Sequence, residues 1–212
     1  MTADSLCYLT SAGIGYLLGS CPNGYLISRA RGIDIRQHGS GNIGATNVLR
    51  VLGKQWGYLV FALDALKGFL AVRIAYAIGT ALIIGSAHRE IVGIVAGLTC
   101  ILGHTFPIWL RFRGGKGVAT SAGVLLGLMP VAVFSVLAVW ILLFKITRYV
   151  SVASIGAAVA LPLFVLAYKH LGWLTGASLL PFAILIAGVV VWRHRSNMQR
   201  LLQGKEQRFG QK

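Results

Sequence analysis

Long apolar runs alternate with short polar, basic stretches along the whole chain. Hydropathy predicts six runs of roughly membrane-spanning length: Leu6–Ile27, Trp56–Ala87, Ile91–Leu110, Val118–Phe144, Val150–Tyr168 and Thr175–Trp192. A helix of about 20 predominantly apolar residues crosses the hydrocarbon core of a bilayer. The pattern therefore predicts an all-α, polytopic membrane helix bundle that forms a single domain over residues 1–212.

Basic residues decide the number of spans, because cytoplasmic loops carry an excess of Lys and Arg. Segments 29–55 and 193–212 are both rich in basic residues, so both should be cytoplasmic, which requires an odd number of spans. We predict about seven transmembrane helices, with the N-terminus outside and the C-terminus cytoplasmic. Gly127-Leu-Met-Pro130 would split the longest run into spans at about 118–129 and 131–146. Splitting 56–87 instead would restore the same parity.

Composition supports a membrane protein and changes how the charge is interpreted. The chain is 56% hydrophobic and 12% charged, whereas soluble domains are about 25% charged. A net charge of +15 would indicate nucleic-acid binding in a soluble protein. Here the basic residues lie between apolar runs, so orientation and anionic lipid head groups account for most of the charge, and no nucleic-acid partner is predicted. A surplus would suit an anionic substrate.

Several kinds of chemistry are not indicated. Cys7, Cys21 and Cys100 lie in apolar runs without a CxxC spacing, so we predict neither a disulfide framework nor a metal site. The chain has no HExxH motif and no Ser-His-Asp order, and no cofactor is expected. The first apolar run lacks a basic flank and a cleavage signal, so we expect it to be a retained span.

The stretch HGSGNIGATNVLR, residues 38–50, is the first candidate phosphate site. Its glycines can adopt left-handed or extended conformations that let backbone N–H groups converge on an anion. The predicted contributors are Gly39, Ser40, Gly41, Asn42, Gly44, Thr46, Asn47 and Arg50. Thr46 or Asn47 is expected to cap a following helix. The GxGxxG spacing is that of a dinucleotide-binding turn, but a basic loop precedes it instead of a strand. A plain tight turn between helices stays open as the alternative.

A second glycine-rich stretch lies at the start of the short predicted span. Gly114, Gly115 and Gly117 surround Lys116, and backbone N–H groups with a Lys at a helix start favour phosphate. The stretch is not a Walker A loop, because Lys116 is followed by Gly. His104, just upstream, is expected to be a hydrogen-bonded structural residue rather than a catalyst.

Two charged residues interrupt the second apolar run. Asp64 and Lys67 are three residues apart on the predicted helix and can pair. Intramembrane charges usually face the interior of a bundle. The pair either contributes to the substrate site or neutralises itself and orders the helix packing.

Polar residues near the C-terminus form a weaker candidate group. His194 and Asn197 are three apart and are expected to share a helix face at the membrane exit, where a His could orient a hydroxyl. The alternative is an interfacial basic helix anchored by Trp192. Ser154, with Ser151, is a further candidate for hydroxyl contacts.

Four stretches together resemble a known family. Residues 39–50 (GSGNIGATNVLR), 64–68 (DALKG), 103–120 (GHTFPIWLRFRGGKGVAT) and 193–206 (RHRSNMQRLLQGKE) look like the motifs of the bacterial membrane glycerol-3-phosphate acyltransferases that use acyl phosphate, the PlsY family. The resemblance spans nearly the whole chain. The His-x-x-x-x-Asp motif of the other acyltransferase class is absent, which agrees with it.

The resemblance implies a reaction and a location. Acyl phosphate and sn-glycerol 3-phosphate would give lysophosphatidic acid and inorganic phosphate, the first acylation step of phospholipid biosynthesis. The enzyme would lie in the bacterial inner (plasma) membrane, with its active site at the cytoplasmic face. Its partners would be the two substrates and the lipid bilayer, and an upstream enzyme that forms acyl phosphate would fit the same scheme.

The resemblance also implies residue roles. Ser40, Arg50, Lys116 and Asn197 would bind the phosphate of glycerol 3-phosphate, and His194 would lie near its hydroxyls. The backbone of Gly41–Asn47, with the side chains of Thr46 and Asn47, would hold acyl phosphate. The 1-hydroxyl would then attack directly, without an acyl-enzyme, through orientation and oxyanion stabilisation.

Two other functions remain as alternatives at this stage. A transporter for a phosphorylated solute should have a polar site near the midplane, often between repeated halves. No internal repeat is visible, and the polar motifs are predicted on one side of the membrane. A lipid-scaffolding protein would not depend on Arg50 or Lys116.

Overall fold

The computed structural model describes residues 2–82 and 85–210, where the regular structure consists of α-helices and two short 3-10 turns, Ile35–Gln37 and Ile108–Leu110. The helices are α1 Ala3–Ser20, α2 Asn23–Ala30, α3 Ala45–Leu52, α4 Lys54–Ala81, α5 Ser86–Thr105, α6 Val118–Leu128, α7 Pro130–Thr147, α8 Val150–His170, α9 Leu179–Arg193 and α10 Arg195–Leu202. They form two compact units, Met1–Leu128 and Met129–Lys212.

The predicted all-α class is confirmed. Among the described residues, three helical segments are long and apolar enough to cross a membrane, and a fourth is added if α9 and α10, bent by 51°, count as one span. The longest apolar run breaks at Met129, as predicted, because Pro130 begins α7. α4 is continuous from Lys54 to Ala81, so the alternative split is not seen there. The count of seven spans and the orientation stay predictions.

The first apolar run differs from its predicted single helix. α1 ends at Ser20 and α2 begins at Asn23, with Cys21 extended (φ −60°, ψ 112°). The residue before a proline is pushed out of the helical region, and Pro22 itself has no N–H to donate. The break turns the carbonyl of Cys21 away from a helical partner, which matters for the buried charges described below.

Small residues bring the helices of the first unit into backbone contact. A Cβ atom on Gly19 of α1 would lie 2.0 Å from the carbonyl oxygen of Cys100 in α5. A Cβ atom on Gly123 of α6 would lie 1.8 Å from the carbonyl oxygen of Ala65 in α4. Close approach of this kind is typical of helix packing in lipid, where dispersion replaces the hydrophobic effect. α4 is thereby held directly against α6.

The second unit consists of α7 to α10 and the C-terminal tail. α8 is contacted by both α7 and α9, and the indole N–H of Trp140 in α7 donates to the hydroxyl of Ser154 at 3.2 Å. Large apolar side chains such as Phe134 and Leu163 point outward, as expected for helices surrounded by lipid.

Candidate active site

The first glycine-rich segment, residues 38–47, forms a tight turn, here called loop 1, that leads into α3. Gly39 and Gly41 have φ angles of +59° and +69°, in the left-handed region where a Cβ atom is strained. The N–H of Gly41 donates to the carbonyl of His38 at 3.0 Å. The sharply turned backbone expected from the glycine spacing is therefore present, but this N–H is hydrogen-bonded within the loop instead of facing an anion.

One buried side chain, Asn47, holds loop 1 from the inside. Its Oδ1 accepts the N–H of Ser40 at 2.9 Å. Its Nδ2 donates to the carbonyls of Asn42 at 2.8 Å and His38 at 3.0 Å, and lies 3.3 Å from that of Ile35. The side chain that was predicted to contact a ligand is thus engaged in shaping the loop.

The prediction that Thr46 or Asn47 caps α3 is wrong. The N-cap residue is Gly44, which has no side chain, and α3 begins at Ala45. Thr46 and Asn47 lie in the first turn, where Asn47 reaches back because its amide satisfies backbone groups of the loop. Asn42 instead accepts the N–H of Gly44 at 2.8 Å.

A buried apolar cluster underlies loop 1. It contains Ile35, Ile43, Val48, Val60 and Leu110. Ile43 belongs to loop 1, while Leu110 lies three residues before the second glycine-rich segment, residues 113–117. Loop 1 and the approach to the second segment therefore rest on a common apolar floor.

The remaining predicted ligand groups of this region are accessible to different extents. Ser40 is exposed, and Thr46 and Arg50 are half-buried. Arg50 lies in the last turn of α3, about one and a half turns after the helix begins at Ala45.

An ion pair borders loop 1 on the chain that enters it. Arg36 Nη2 lies 2.6 Å from Oδ2 of Asp34, and Asp34 also accepts the backbone N–H of Arg36. These hydrogen bonds from Arg36 hold the pKa of Asp34 at about 2. The guanidinium stacks on Tyr25 at 4.7 Å from the ring centroid. Arg36 is therefore partly neutralised and fixed in place.

The second glycine-rich segment, residues 113–117, is here called loop 2. It runs back beside the end of α5, where the N–H groups of Gly114 and Gly115 donate to the carbonyls of Thr105 and His104, both at 3.1 Å. A Cβ atom on Gly115 would lie 2.1 Å from Nε2 of His104. These glycines are needed because backbone and imidazole lie against them, and the predicted α6 follows at Val118.

The two loops border the same cleft, which has a volume of about 430 Å³. Gly41 of loop 1 and Gly114 of loop 2 both line it. The other lining residues are Asp34, Arg36, Gln37, Ile43 and Arg113. Two backbone segments that were predicted separately to hold phosphate therefore meet at one basic cavity, and Lys116 is half-buried within loop 2.

Asp64 and Lys67 pair as predicted, deep among the helices of the first unit. Lys67 Nζ lies 2.9 Å from Oδ1 of Asp64, and the two side chains are only 7% and 3% exposed. His104 is buried beside them, with its Nδ1 3.1 Å from Lys67 Nζ, which agrees with the structural role expected for it. Direct contact of the pair with a substrate stays a prediction.

In the second unit, His194 and Asn197 lie at a bend between two helices, and a shared face toward a substrate stays a prediction. The chain bends at His194, which ends α9 and precedes α10. The ring Nδ1 of His194 lies 2.8 Å from the carbonyl of Val190, so the imidazole bonds within the last turn of α9. Both His194 and Asn197 are buried. Ser154 bonds to the carbonyl of Val150.

Sequence reasoning missed Glu206. Its carboxylate accepts hydrogen bonds from Asn197 Nδ2 at 2.6 Å, from Arg200 Nε at 2.8 Å and from the Ser151 hydroxyl at 2.9 Å. Burial acts to raise the pKa of Glu206, but the hydrogen bonds from these three residues outweigh it and lower the pKa. The sequence signal that could have indicated this role is that Glu206 is an acidic residue within a basic C-terminal segment.

Comparison with known proteins gives a consistent result. The family model for glycerol-3-phosphate acyltransferase matches residues 9–204, which includes parts of both units. Proteins named glycerol-3-phosphate acyltransferase are similar over nearly their full length. The one from Desulforudis audaxviator is 45% identical, covering 97% of this chain and 98% of that protein. The one from Rhizobium meliloti is 46% identical, covering 93% and 90%.

Solved structures agree with the sequence comparison. PlsY, an integral membrane glycerol 3-phosphate acyltransferase, has been crystallised in a glycerol 3-phosphate form, which is 42% identical to this chain with a TM-score of 0.83 and covers 96% of each chain. Its lysophosphatidic acid form is 41% identical with a TM-score of 0.81, covering 96% of this chain and 95% of the other. The fold and the two glycine-rich loops thus fit a membrane acyltransferase. This chain belongs to the glycerol-3-phosphate acyltransferase family of PlsY.

Proposed function

We propose that this protein transfers an acyl group from acyl phosphate to the 1-hydroxyl of sn-glycerol 3-phosphate, giving lysophosphatidic acid and inorganic phosphate. The observation that carries the proposal is the cleft bordered by loop 1 and loop 2. Both substrates carry a phosphate group, and the cleft that the two loops share is also lined by the basic side chains of Arg36 and Arg113, which favour anions. The family membership supports glycerol 3-phosphate as the acceptor.

Within the first unit, Ser40, Arg50 and Lys116 would bind the phosphate of glycerol 3-phosphate. Arg offers a bidentate fork to phosphate oxygens and Lys a compact charge. The backbone around Gly41 and Gly44, with Thr46, would hold acyl phosphate. Asn47 would support that backbone from behind, since its amide is already hydrogen-bonded within loop 1. The roles of Asn197 and His194 follow from the family resemblance alone and stay predictions.

The chemistry needs no covalent enzyme intermediate. The 1-hydroxyl oxygen forms a bond to the acyl carbon, and the bond from that carbon to the bridging phosphate oxygen breaks. The departing phosphate takes the hydroxyl proton, so no protein base is required. The protein contributes orientation of the two substrates and electrostatic stabilisation of the oxyanion.

The proposal places this reaction at the cytoplasmic face of a bacterial inner membrane. Acyl phosphate, an amphiphile, would arrive from the bilayer after an upstream enzyme has formed it, and glycerol 3-phosphate would arrive from the cytosol. The basic residues around the cleft, such as Arg113, suit the arrival of a dianion.

The purified protein in lipid, supplied with acyl phosphate and labelled glycerol 3-phosphate, tests the proposal. We expect labelled lysophosphatidic acid and one phosphate released per turnover, and no product when an acyl thioester replaces acyl phosphate. Uptake of label into sealed vesicles without lipid product would instead indicate a transporter. Accumulation of an acyl-enzyme would contradict direct attack.

Two substitutions separate an enzyme from a lipid scaffold. Arg50→Ala and Lys116→Ala should each lower kcat/KM by about 100-fold or more, on the scale of losing an oxyanion-type donor. Lys54→Ala removes an exposed basic residue at the start of α4 and serves as the matched control, for which we expect activity near that of the unaltered protein.

A further inference from the structure

The first unit contains a buried ionic cluster around Lys67. Lys67 Nζ lies 2.9 Å from Asp64 Oδ1, 2.8 Å from the carbonyl oxygen of Cys21 and 3.1 Å from Nδ1 of His104. An ammonium group has three N–H donors, and these three acceptors match them. The imidazole accepts at Nδ1 when its proton is on Nε2. His104 Nδ1 also lies 3.6 Å from Asp64 Oδ1, so the polar groups of the three side chains lie against one another.

Its carboxylate is tied to the support of loop 1. Asn23 Nδ2 donates to Asp64 Oδ1 at 3.0 Å, and Asn23 is the first residue of α2. The next residue, Gly24, lies against loop 1 so closely that a Cβ atom would be 1.9 Å from the carbonyl oxygen of Ile43. Movement of the Asp64 carboxylate would therefore be passed to loop 1 through two consecutive residues of α2.

Its imidazole is tied to loop 2. The carbonyl of His104 accepts the N–H of Gly115, and the ring packs directly against the Gly115 Cα. The helical turn that carries Lys67 also contacts the start of α6, because a Cβ atom on Gly68 would lie 2.3 Å from the carbonyl oxygen of Thr120. Loop 2 is thus contacted at Gly115 by a residue that bonds to Lys67, and the helix that follows loop 2 packs on the turn that carries Lys67.

We propose that the Asp64–Lys67 ion pair is a positioning element that sets the distance between loop 1 and loop 2 across the cleft, and that neither side chain contacts substrate. The inference rests on the proposed function of the two loops as phosphate-binding segments. The sequence allows the pair either to contact substrate or to neutralise itself and order the helix packing. The proposal takes the second role and adds that the pair orders the two loops.

Burial and saturation of the donors argue against substrate contact. The pair is almost wholly buried, and Lys67 already serves three acceptors. Stability alone does not account for the pair, since well-packed apolar residues often stabilise a buried site equally well. A pair that fixes geometry is expected to matter for substrate affinity even where stability is retained.

The key test is the double substitution Asp64→Leu/Lys67→Met, which removes both charges together and so leaves no uncompensated buried ion. We expect its thermal unfolding midpoint to stay near that of the unaltered protein. We expect kcat/KM for glycerol 3-phosphate to fall about 100-fold, as for a misplacement of about 1 Å, with most of the change in KM.

The control is Ser11→Ala, a buried polar position of α1 outside both loops, which should change neither the unfolding midpoint nor kcat/KM. A double variant with unaltered KM and kcat would overturn the proposal.

A second pair of variants covers the case in which the double variant does not fold. His104→Leu keeps bulk under loop 2 and removes the acceptor for Lys67, and we expect KM for glycerol 3-phosphate to rise. His104→Asn restores an acceptor near the Nδ1 position and should recover part of the loss. Equal kinetics for both variants and the unaltered protein would overturn the positioning role.

A binding measurement separates this inference from the proposed reaction. Inorganic phosphate and glycerol 3-phosphate should each raise the unfolding midpoint of the unaltered protein by mass action, and raise that of the double variant much less. If the protein binds these anions but forms no lysophosphatidic acid, the proposed reaction fails while the positioning role is still tested. If both proteins are stabilised equally, the positioning role fails whatever the activity.

Discussion

Loop 1 and loop 2 present similar backbone to the same cleft but are held in different ways. Loop 1 is organised by its own segment, since Asn47, eight residues after Gly39, bonds to three groups within the loop. Loop 2, residues 113–117, is contacted by a side chain and carbonyls from the end of α5. Its glycines lie against His104, which bonds in turn to a lysine on another helix.

The difference teaches that a glycine-rich turn can be held in place either by a side chain of its own segment or by residues from other helices. The hydrogen bonds of Asn47 tolerate small movements of the helices, because they stay within a few residues of one segment. The contacts of loop 2 with His104 transmit any movement of α4 or α5 to the loop. Changes near loop 2 should therefore impair substrate binding more than comparable changes near loop 1.

The largest expected effect follows from Gly115→Ala in loop 2. The new Cβ atom would lie 2.1 Å from Nε2 of His104, so the loop or the imidazole must move, and overpacking of this kind costs about 1–3 kcal/mol. We expect kcat/KM to fall about 100-fold, measured with the acyl-transfer assay.

The matched control is Gly13→Ala in α1, where the added Cβ atom would have nothing within 4 Å. Ala is favoured over Gly inside a helix by about 0.5–1 kcal/mol, so stability should rise slightly and activity should stay unchanged. Similar activities for the two variants would mean that the contact with His104 does not position loop 2.

A smaller effect is expected from Asn47→Asp in loop 1. The carboxylate still accepts the N–H of Ser40, but it cannot donate to the carbonyls of His38 and Asn42. Unsatisfied buried groups cost about 1–3 kcal/mol, and kcat/KM should fall about 10-fold on the same free-energy scale. Thermal unfolding and the acyl-transfer assay measure the two effects. Gln55→Ala, which removes an exposed amide, is the control, and a variant of Asn47 that matches it would refute the local mechanism.

The contrast between the loops also explains what could be predicted from the sequence. Both glycine clusters were found because turned backbone needs Gly, and that requirement is written in consecutive residues. The helical class and the break before Pro130 follow from composition and proline chemistry. The prediction that Asn47 is a possible cap of α3 is wrong, because a side chain that bonds backward to its own loop has the same local sequence pattern as a capping side chain.

What could not be predicted depends on residues far apart in the chain. Lys67 meets the carbonyl of Cys21 only because the helix breaks before Pro22, and it meets His104 only because α4 packs beside α5. Glu206 likewise accepts a hydrogen bond from Ser151, which lies 55 residues earlier in the chain. No periodicity or motif encodes such distances, so the sequence indicates that a buried charge exists but not what it touches.

The smallest effect is expected where loop 1 meets solvent, at the Asp34–Arg36 pair. Asp34→Asn keeps an acceptor for the backbone N–H of Arg36 and removes only the charge, and ion pairs near the surface contribute little to the free energy of unfolding.

The pH dependence of this effect follows from the pKa of Asp34. The folded pKa of about 2 lies below the ordinary value of about 3.9. The ionic contribution to stability is therefore fully present above the ordinary value and is lost as the pH falls through the folded one. The unfolding midpoints of the variant and the unaltered protein should differ by a small, constant amount from about pH 5 to pH 8 and should converge in stronger acid. A difference that changes between about pH 6 and pH 8 would contradict this assignment to the Asp34 carboxylate.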